Sequence, residues 1–225
     1  MKVLVIADLH WMDVWKKHVN SLEWDKVIFL WDYVDSYDKT DKEILDNLRD
    51  IIAFKRANPE NVVLLLWNHD IQYIWEWNGC SWHRPSIAAL IKIVFENDIK
   101  MFKIFHQEKH YLFSHAWITN WWLKYNEAII DNYFCDWFYS YEDLNNLLLT
   151  HDLNILFQCW QDRGWFHPQW WPLWADKNET TEDGKLKDVT QVVWHTQIKS
   201  VLFLPHIIYT DCLQSVYWEP LVLNV

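Results

Sequence analysis

The sequence predicts an α/β fold in which buried, parallel strands alternate with amphipathic helices. Asp41–Ala57 carries apolar residues at helical spacing, and Thr40 or Asp41 can cap its start. Apolar, β-rich runs lie on both sides of it, at Lys2–Ala7, at Lys26–Leu30 and at 61–66. Because strands that alternate with helices are joined by right-handed crossovers, we expect these three strands to lie parallel in one sheet.

The rest of the chain predicts further helices and strands. A helix is expected over 86–95, a pair of strands over 101–105 and Tyr111–Ser114, and mostly helix over 123–157. A long loop is expected over 161–188, followed by a meander of short strands over 191–225 that Pro205 and Pro220 interrupt. No internal repeat or linker is evident, which predicts a single domain over residues 1–225.

Composition narrows the class of protein. The chain has 225 residues, enough for one domain with a substantial core, and its formal net charge of −11 disfavours a nucleic-acid surface. No apolar run approaches the roughly 18 residues of a membrane span, and the first residues lack the cleavage site of a signal peptide. The four cysteines are scattered, with no CxxC pair, which favours a reducing cytoplasm over a disulfide scaffold or a structural zinc site.

Residue types suited to metal binding or acid–base chemistry follow five of the predicted strands. They are Asp8 and His10, Asp32 and Asp35, Asn68-His69-Asp70, His115, and His195. Because chemistry in α/β folds sits at the carboxyl ends of strands, we expect these side chains to converge. Oxygen and imidazole ligands without thiolates favour manganese, iron or zinc, and two such ions can activate a bridging water for attack on a phosphate.

The order of these residues resembles the calcineurin-like metallophosphoesterases, from residue 8 to about 197. Within this superfamily, the serine/threonine phosphoprotein phosphatases are the most similar branch, on the motifs DYVD, NHD, SHA, PLWAD at 172–176 and HTQ. The bacterial branch that contains the diadenosine tetraphosphate hydrolases is equally similar. The resemblance implies a four-layer α/β/β/α sandwich of two mixed sheets, with a dinuclear metal site at one edge.

The resemblance also implies a role for each residue. Asp8 and His10 would bind the first metal, Asp32 would bridge both, and Asn68, His115 and His195 would bind the second. His69 would protonate the leaving oxygen, and Asp35 would orient it. The cofactors would be two divalent ions, manganese first and iron or zinc as alternatives, with a metal-bound hydroxide as nucleophile.

The implied activity is hydrolysis of phosphate esters, with a phosphomonoester, and a phosphoprotein first, as substrate. Symmetrical cleavage of dinucleoside tetraphosphates is the first alternative, and a catalytically dead binding module is the second. Ser36-Tyr37 stands where the phosphoprotein phosphatases carry Arg-Gly, so an expected phosphate clamp is missing. Arg84 or Arg163 could replace it as a bidentate donor, and His83 could line the substrate cleft. Gln197 stands where many branches carry a second histidine, which removes one ligand of the first metal.

Glycine and tryptophan are present in unusual numbers: 3 glycines and 19 tryptophans. The calcineurin-like metallophosphoesterases, which this sequence resembles, have glycine where this chain has Trp11, Trp31, Trp67 and Trp194, and Trp117 is a fifth such position. Glycine is the usual residue where the backbone needs positive φ, which tryptophan adopts only at a cost. We hypothesise that UGA codons translated as tryptophan specify glycine in the source organism. UGG codons at these positions would refute the hypothesis, and a divergent or inactive homologue would then be the better interpretation.

Overall fold

The computed structural model describes residues 1–7, 13–30, 33–36, 38–75, 83–133, 140–150, 186, 188–195, 198–212 and 220–225. In chain order, the strands within these ranges are β1 (Lys2–Ala7), β2 (Lys26–Leu30), β3 (Val62–Leu65), β4 (Phe102–Lys103), β5 (Phe105–Glu108), β6 (Tyr111–Ser114), β7 (Thr190–Val193), β8 (Leu202–Leu204), β9 (Ile207–Tyr209) and β10 (Leu221–Asn224). The helices are α1 (Val14–Ser21), α2 (Asp41–Ala57), α3 (Asn68–Ile74), α4 (Ala88–Asp98), α5 (Asn120–Tyr133) and α6 (Tyr141–Thr150).

The chain divides into two compact units. The first comprises Met1–Lys103 with Leu213–Val225, and the second comprises Ile104–Cys212. Each unit is built on its own five-stranded sheet.

The sheet of the first unit has the order β10-β1-β2-β3-β4. Strands β1 to β4 run parallel, as the sequence predicts for the first three, and β10 pairs antiparallel with β1. All four residues of β3 are buried, as are all but the first residue of β1 and of β2. Continuous apolar runs of this kind are typical of strands covered on both faces.

Helix α2 has the predicted bounds and begins with a capping box. The Thr40 hydroxyl accepts from the Glu43 amide at 3.3 Å, and the Glu43 carboxylate accepts from the Thr40 amide at 2.8 Å. This hydrogen bond from the Thr40 backbone is the main reason why the pKa of Glu43 lies below its usual value. The apolar positions Ile44, Leu48 and Ile51 are buried, as their helical spacing predicts.

The sheet of the second unit has the order β5-β6-β7-β9-β8. Its two inner pairs, β6 with β7 and β7 with β9, are parallel, whereas its outer pairs are antiparallel. The predicted meander over 191–225 is therefore wrong, because β7 and β9 are parallel and β10 belongs to the other sheet. The side chain of Gln191 in β7 exchanges two hydrogen bonds of 2.9 Å with the backbone of Ile118, which fixes the segment after β6 against β7.

The predicted four-layer α/β/β/α sandwich is corrected to an α/β chain with one mixed, five-stranded sheet in each of two units. The sequence pattern identified strands and helices, but strand order depends on pairing between residues far apart in the chain. The pairing of β10 with β1 is an example, with Lys2 opposite Asn224. The single domain predicted over residues 1–225 stays a prediction.

Replacing Asn145 is expected to destabilise the second unit. Its side chain is buried, accepts from the amides of Ile104 and Phe105 at 2.8 Å each, and donates to the Phe105 carbonyl at 2.6 Å. Asn145→Leu leaves these buried backbone groups without their partner, which should lower the free energy of unfolding by about 2–4 kcal/mol. Urea denaturation measures the change. The exposed neighbour Asn146, changed in the same way, is the control, and equal losses for both variants would contradict this account.

Candidate functional site

Residues 33–36 follow β2, and two residues separate the end of the neighbouring parallel strand β3 from the start of α3. Asp35 lies in the left-handed region with φ 64°, a conformation that aspartate tolerates better than most residues. Its carboxylate is fully buried. Because β2 and β3 are parallel, their carboxyl ends bring Asp35 to the side of α3.

Three side chains of α3 donate to Asp35. His69 Nδ1 lies 2.9 Å from Oδ2, Gln72 Nε2 donates to Oδ2 at 2.7 Å, and the Tyr73 hydroxyl donates to Oδ1. Residues three and four positions apart share one face of a helix, which is why all three reach the same carboxylate. An ionised carboxylate can only accept, so Nδ1 of His69 carries the proton in this contact.

Tyr73 connects Asp35 to the segment before α4. Its hydroxyl oxygen accepts from the Arg84 amide at 2.7 Å, and its ring stacks on His83 with centroids 4.8 Å apart and planes at 24°. Burial, followed by the negative charge of Asp35, raises the pKa of Tyr73. The phenol therefore stays protonated at neutral pH and remains a donor to Asp35.

Arg84 is engaged with protein oxygens. Its guanidinium donates to the Asp41 carboxylate at 2.9 Å, to the Lys39 carbonyl at 3.0 Å and to the Ser36 carbonyl. These three partners lie in the segment that follows Asp35, so the hydrogen bonds of Arg84 hold this segment in place. The substrate-binding role predicted for Arg84 stays a prediction, as does that of His83.

Two further predicted residues meet in the second unit. His115 follows β6, His195 follows the parallel neighbour β7, and His115 Nε2 lies 3.0 Å from His195 Nδ1. Their rings are edge to face, with centroids 4.7 Å apart. The amide of Trp194 donates to the His115 carbonyl at 3.0 Å, which fixes the two segments together.

The other predicted site residues are placed as follows. Asn68 is the buried first residue of α3. Its neighbour Asp70 is also buried and accepts from the Tyr33 amide at 3.1 Å. Asp8, His10, Asp32 and Arg163 lie outside the described residues.

Gln72 and Tyr73 were missed by the sequence analysis. The signal that could have found them is their spacing of three and four residues after His69. It becomes informative only once a helix is recognised there, and α3 itself was not predicted. It has seven residues, and its N-cap residue Trp67 makes no side-chain cap hydrogen bond.

The described tryptophans do not have the conformation that the glycine hypothesis anticipates. Trp67 is extended, with φ −133° and ψ 168°, and the non-glycine residues with positive φ in the described ranges are Asp35, Lys109 and Asp188. The need for positive φ is therefore wrong as an explanation at Trp67, Trp117 and Trp194. All three indoles are buried.

Arg84→Lys is expected to lower the free energy of unfolding rather than the affinity for phosphate. Lysine keeps the charge but cannot reach three oxygens with one planar fork, so a loss of about 1–2 kcal/mol is expected for this partly exposed group. Denaturation and titration with inorganic phosphate measure the two quantities. Arg56→Lys is the matched control, because Arg56 makes a 2.5 Å ion pair with Asp98 that lysine can replace. A weaker phosphate affinity at unchanged stability would instead support the predicted substrate role.

The residues that the structure describes contain no group of three or more His, Cys, Asp or Glu side chains arranged to hold a metal ion. The prediction of two divalent ions, manganese first with iron or zinc as alternatives, and of a metal-bound hydroxide is corrected by the similar solved structures given below, which are described as protein-tyrosine phosphatases. Three of the six predicted metal ligands lie within the described residues. Asn68 belongs to α3, and His115 and His195 form a pair of imidazoles.

Among the described residues, the helices are too short or too polar to span a membrane.

Comparison with known proteins gives matches among solved structures. No protein-family model matches the chain, and no curated protein matches it. The chain is similar to the cold-active protein-tyrosine phosphatase of a psychrophilic Shewanella species, with a TM-score of 0.62 and 16% identity over 94% of this chain and 71% of that one. A point mutant of a cold-active protein tyrosine phosphatase gives a TM-score of 0.56 and 17% identity over 94% and 71% of the two chains. A further structure of a cold-active protein tyrosine phosphatase gives 0.53 and 16%, over 94% and 69%.

These matches correct the family expected from the sequence. The similar structures are described as protein-tyrosine phosphatases. The assignment to the calcineurin-like metallophosphoesterases, and within them to serine/threonine phosphoprotein phosphatases or diadenosine tetraphosphate hydrolases, is therefore corrected. At 16–17% identity the likeness shows the fold alone, so the chain shares its fold with these phosphatase structures.

Proposed function

We propose that this chain hydrolyses phosphate monoesters, with a phosphorylated protein side chain as the first candidate substrate. The observation that carries the proposal is the contact between His69 and the fully buried Asp35 at the carboxyl ends of β2 and β3. Support for the substrate class comes from the similar structures, which are described as protein-tyrosine phosphatases.

The Asp35–His69 contact suits proton transfer to a leaving oxygen. Asp35 accepts from Nδ1, so the opposite ring nitrogen, Nε2, is the one that can exchange a proton with a substrate. In the proposed reaction, a water oxygen bonds to phosphorus and the bond from phosphorus to the ester oxygen breaks. The imidazolium Nε2–H protonates the departing oxygen, so that an alcohol or phenol leaves. The protons of the attacking water stay on the inorganic phosphate, which loses one of them to solvent as it is released, and neutral His69 takes up a proton from solvent before the next turnover. Asp35 stabilises the imidazolium and holds its orientation.

The environment of His69 fits this role. Its side chain is 11% exposed, so the ring is mostly withdrawn from water while part of it remains accessible. The Asp35 carboxylate is fully buried and lies 2.9 Å from Nδ1, so it holds the ring in an orientation that leaves Nε2 for the substrate.

The test is hydrolysis of four substrates by the purified chain, measured as release of inorganic phosphate from the monoesters and of ADP from the dinucleotide. The substrates are p-nitrophenyl phosphate, a phosphotyrosine peptide, a phosphoserine peptide and diadenosine tetraphosphate. Assays contain a chelator in one series and added divalent ions in another, so that activity is scored under both conditions. Phosphate release from a monoester in either series supports the proposal. Cleavage of the dinucleotide alone would replace the monoester by an anhydride substrate, and no hydrolysis of any substrate would overturn the proposal in favour of a binding protein.

A further inference from the structure

We propose that Gln72 and Tyr73 are positioning residues, which lock the Asp35 carboxylate and, through it, the His69 imidazole in one orientation. Neither side chain needs to touch the substrate. The part of this inference that concerns catalysis rests on the proposed function, whereas the part that concerns the orientation of His69 does not.

The first support is the distribution of donors on Asp35. Oδ2 accepts hydrogen bonds from His69 and Gln72, and Oδ1 accepts one from the Tyr73 hydroxyl. A carboxylate held through one oxygen can rotate about its Cβ–Cγ bond, but donors on both oxygens fix its plane. Gln72 and Tyr73 add hydrogen bonds to this fully buried carboxylate beyond the one with His69, and these bonds offset part of its desolvation cost.

The second support is that Tyr73 is itself held in place. The Arg84 amide donates to its oxygen at 2.7 Å, and the stacked His83 ring restricts its rotation. A hydroxyl that accepts one hydrogen bond and donates another is polarised, so its bond to Asp35 is strengthened. The raised pKa of Tyr73, due first to burial and then to the Asp35 charge, keeps the proton on the phenol.

A third support is the position of the donors on α3. Gln72 and Tyr73 are buried, and they follow His69 by three and four residues on the same helix. The acid and its two positioning residues therefore move as one rigid element against Asp35. A small rotation of α3 would break all three contacts together, so the contacts select one orientation of the helix.

The test compares Tyr73→Phe and Gln72→Met with wild type and with the control Tyr33→Phe. Each test variant keeps side-chain volume and removes one donor to Asp35. Tyr33 is a buried tyrosine of the same unit, and its ring packs on Phe95 and Phe102. The control therefore loses a buried hydroxyl outside the contacts to Asp35 described above.

Two readouts separate positioning from a merely structural role. Chemical shifts of ¹⁵N-labelled imidazoles, assigned with His69→Gln, report which ring nitrogen of His69 holds the proton at one fixed pH. Steady-state kinetics with a phosphoserine peptide, whose alkoxide leaving group needs a proton, report kcat and KM. For Tyr73→Phe and Gln72→Met we expect altered His69 shifts, kcat lower by about tenfold and KM within about twofold of wild type. Tyr33→Phe should change none of these quantities.

Failure of the two proposals can be told apart. If wild type hydrolyses no monoester but the His69 shifts change in both test variants, the positioning inference holds and the proposed function fails. If wild type is active and both test variants retain its kcat and its His69 shifts, with only the free energy of unfolding reduced, the positioning inference is overturned.

Discussion

His69→Gln is expected to lower kcat for a phosphoserine peptide by about 10²–10⁴-fold, the usual range for losing a general acid. Glutamine keeps hydrogen-bonding ability and similar bulk but cannot supply a proton near neutral pH. Substrate contacts to the phosphate should be retained, so KM is expected to change little. Steady-state release of inorganic phosphate measures both parameters.

The size of this loss should depend on the leaving group. A serine alkoxide needs a proton as it leaves, whereas the phenol of tyrosine, with a pKa of about 10, is a much better leaving group. We therefore expect a loss for a phosphotyrosine peptide at least about tenfold smaller than for the phosphoserine peptide. His206→Gln, at an exposed histidine of the second unit, is the control. Equal losses for both peptides would contradict the assignment of His69 as the acid, even if activity falls.

Asp35→Asn is expected to have the second large effect, with kcat lower by about 10²–10⁴-fold and the fold retained. Asparagine tolerates the left-handed backbone that Asp35 adopts, with φ 64°, so the loop should keep its path. The new amide, however, has one acceptor oxygen and one donor nitrogen. It cannot accept from His69, Gln72 and Tyr73 as the two carboxylate oxygens do. Either Nδ1 of His69 or the Tyr73 hydroxyl then loses its acceptor, and the negative charge that supports the imidazolium is gone.

Asp98→Asn is the matched control for Asp35→Asn. Asp98 is buried in the same unit and pairs with Arg56, so its replacement also removes a paired carboxylate. The control should lower the free energy of unfolding without lowering kcat. Circular dichroism establishes that both variants are folded. A folded Asp35→Asn protein with the kcat of wild type would show that His69 does not depend on Asp35.

The sequence predicted those parts of the fold that depend on local pattern. Strands β1, β2 and β6 and helix α2 have the predicted bounds, because apolar runs, helical spacing and the cap at Thr40 are encoded within each segment. Helix α3 was missed because a helix of seven residues, about two turns, that is buried along almost its whole length carries no readable period. The predicted meander over 191–225 was wrong because strand pairing there depends on contacts between distant residues, as in the pairing of β10 with β1.

In the candidate site, too, some features were predicted from the sequence and others depend on packing. The sequence predicted that Asp35 would orient His69, and the two side chains lie within hydrogen-bond distance. Their roles in catalysis stay a prediction until the variants are measured. Gln72 and Tyr73 could not be recognised without α3, and the partners of Arg84 arise from the packing of its segment against residues that follow Asp35.

The tryptophans raise two separate questions: whether their positions need positive φ, and whether their codons specify tryptophan. The expectation of positive φ fails at Trp67, whose extended backbone any residue can adopt. A codon-level explanation concerns which residue is inserted, and it is tested by the gene sequence alone. The side chain of Trp67 is completely buried after β3 and directly before Asn68, so its identity determines the packing beside the site.

The catalytic role of the Asp35–His69 pair is tested by the rate of inorganic phosphate release from a phosphoserine peptide by wild type and by His69→Gln under identical conditions. We expect measurable turnover by wild type and a rate lower by about 10²–10⁴-fold in the variant, with KM nearly unchanged. Equal rates for the two proteins would contradict the role of the Asp35–His69 pair, and absence of turnover by wild type on this peptide and on its phosphotyrosine counterpart would contradict the proposed phosphomonoesterase activity.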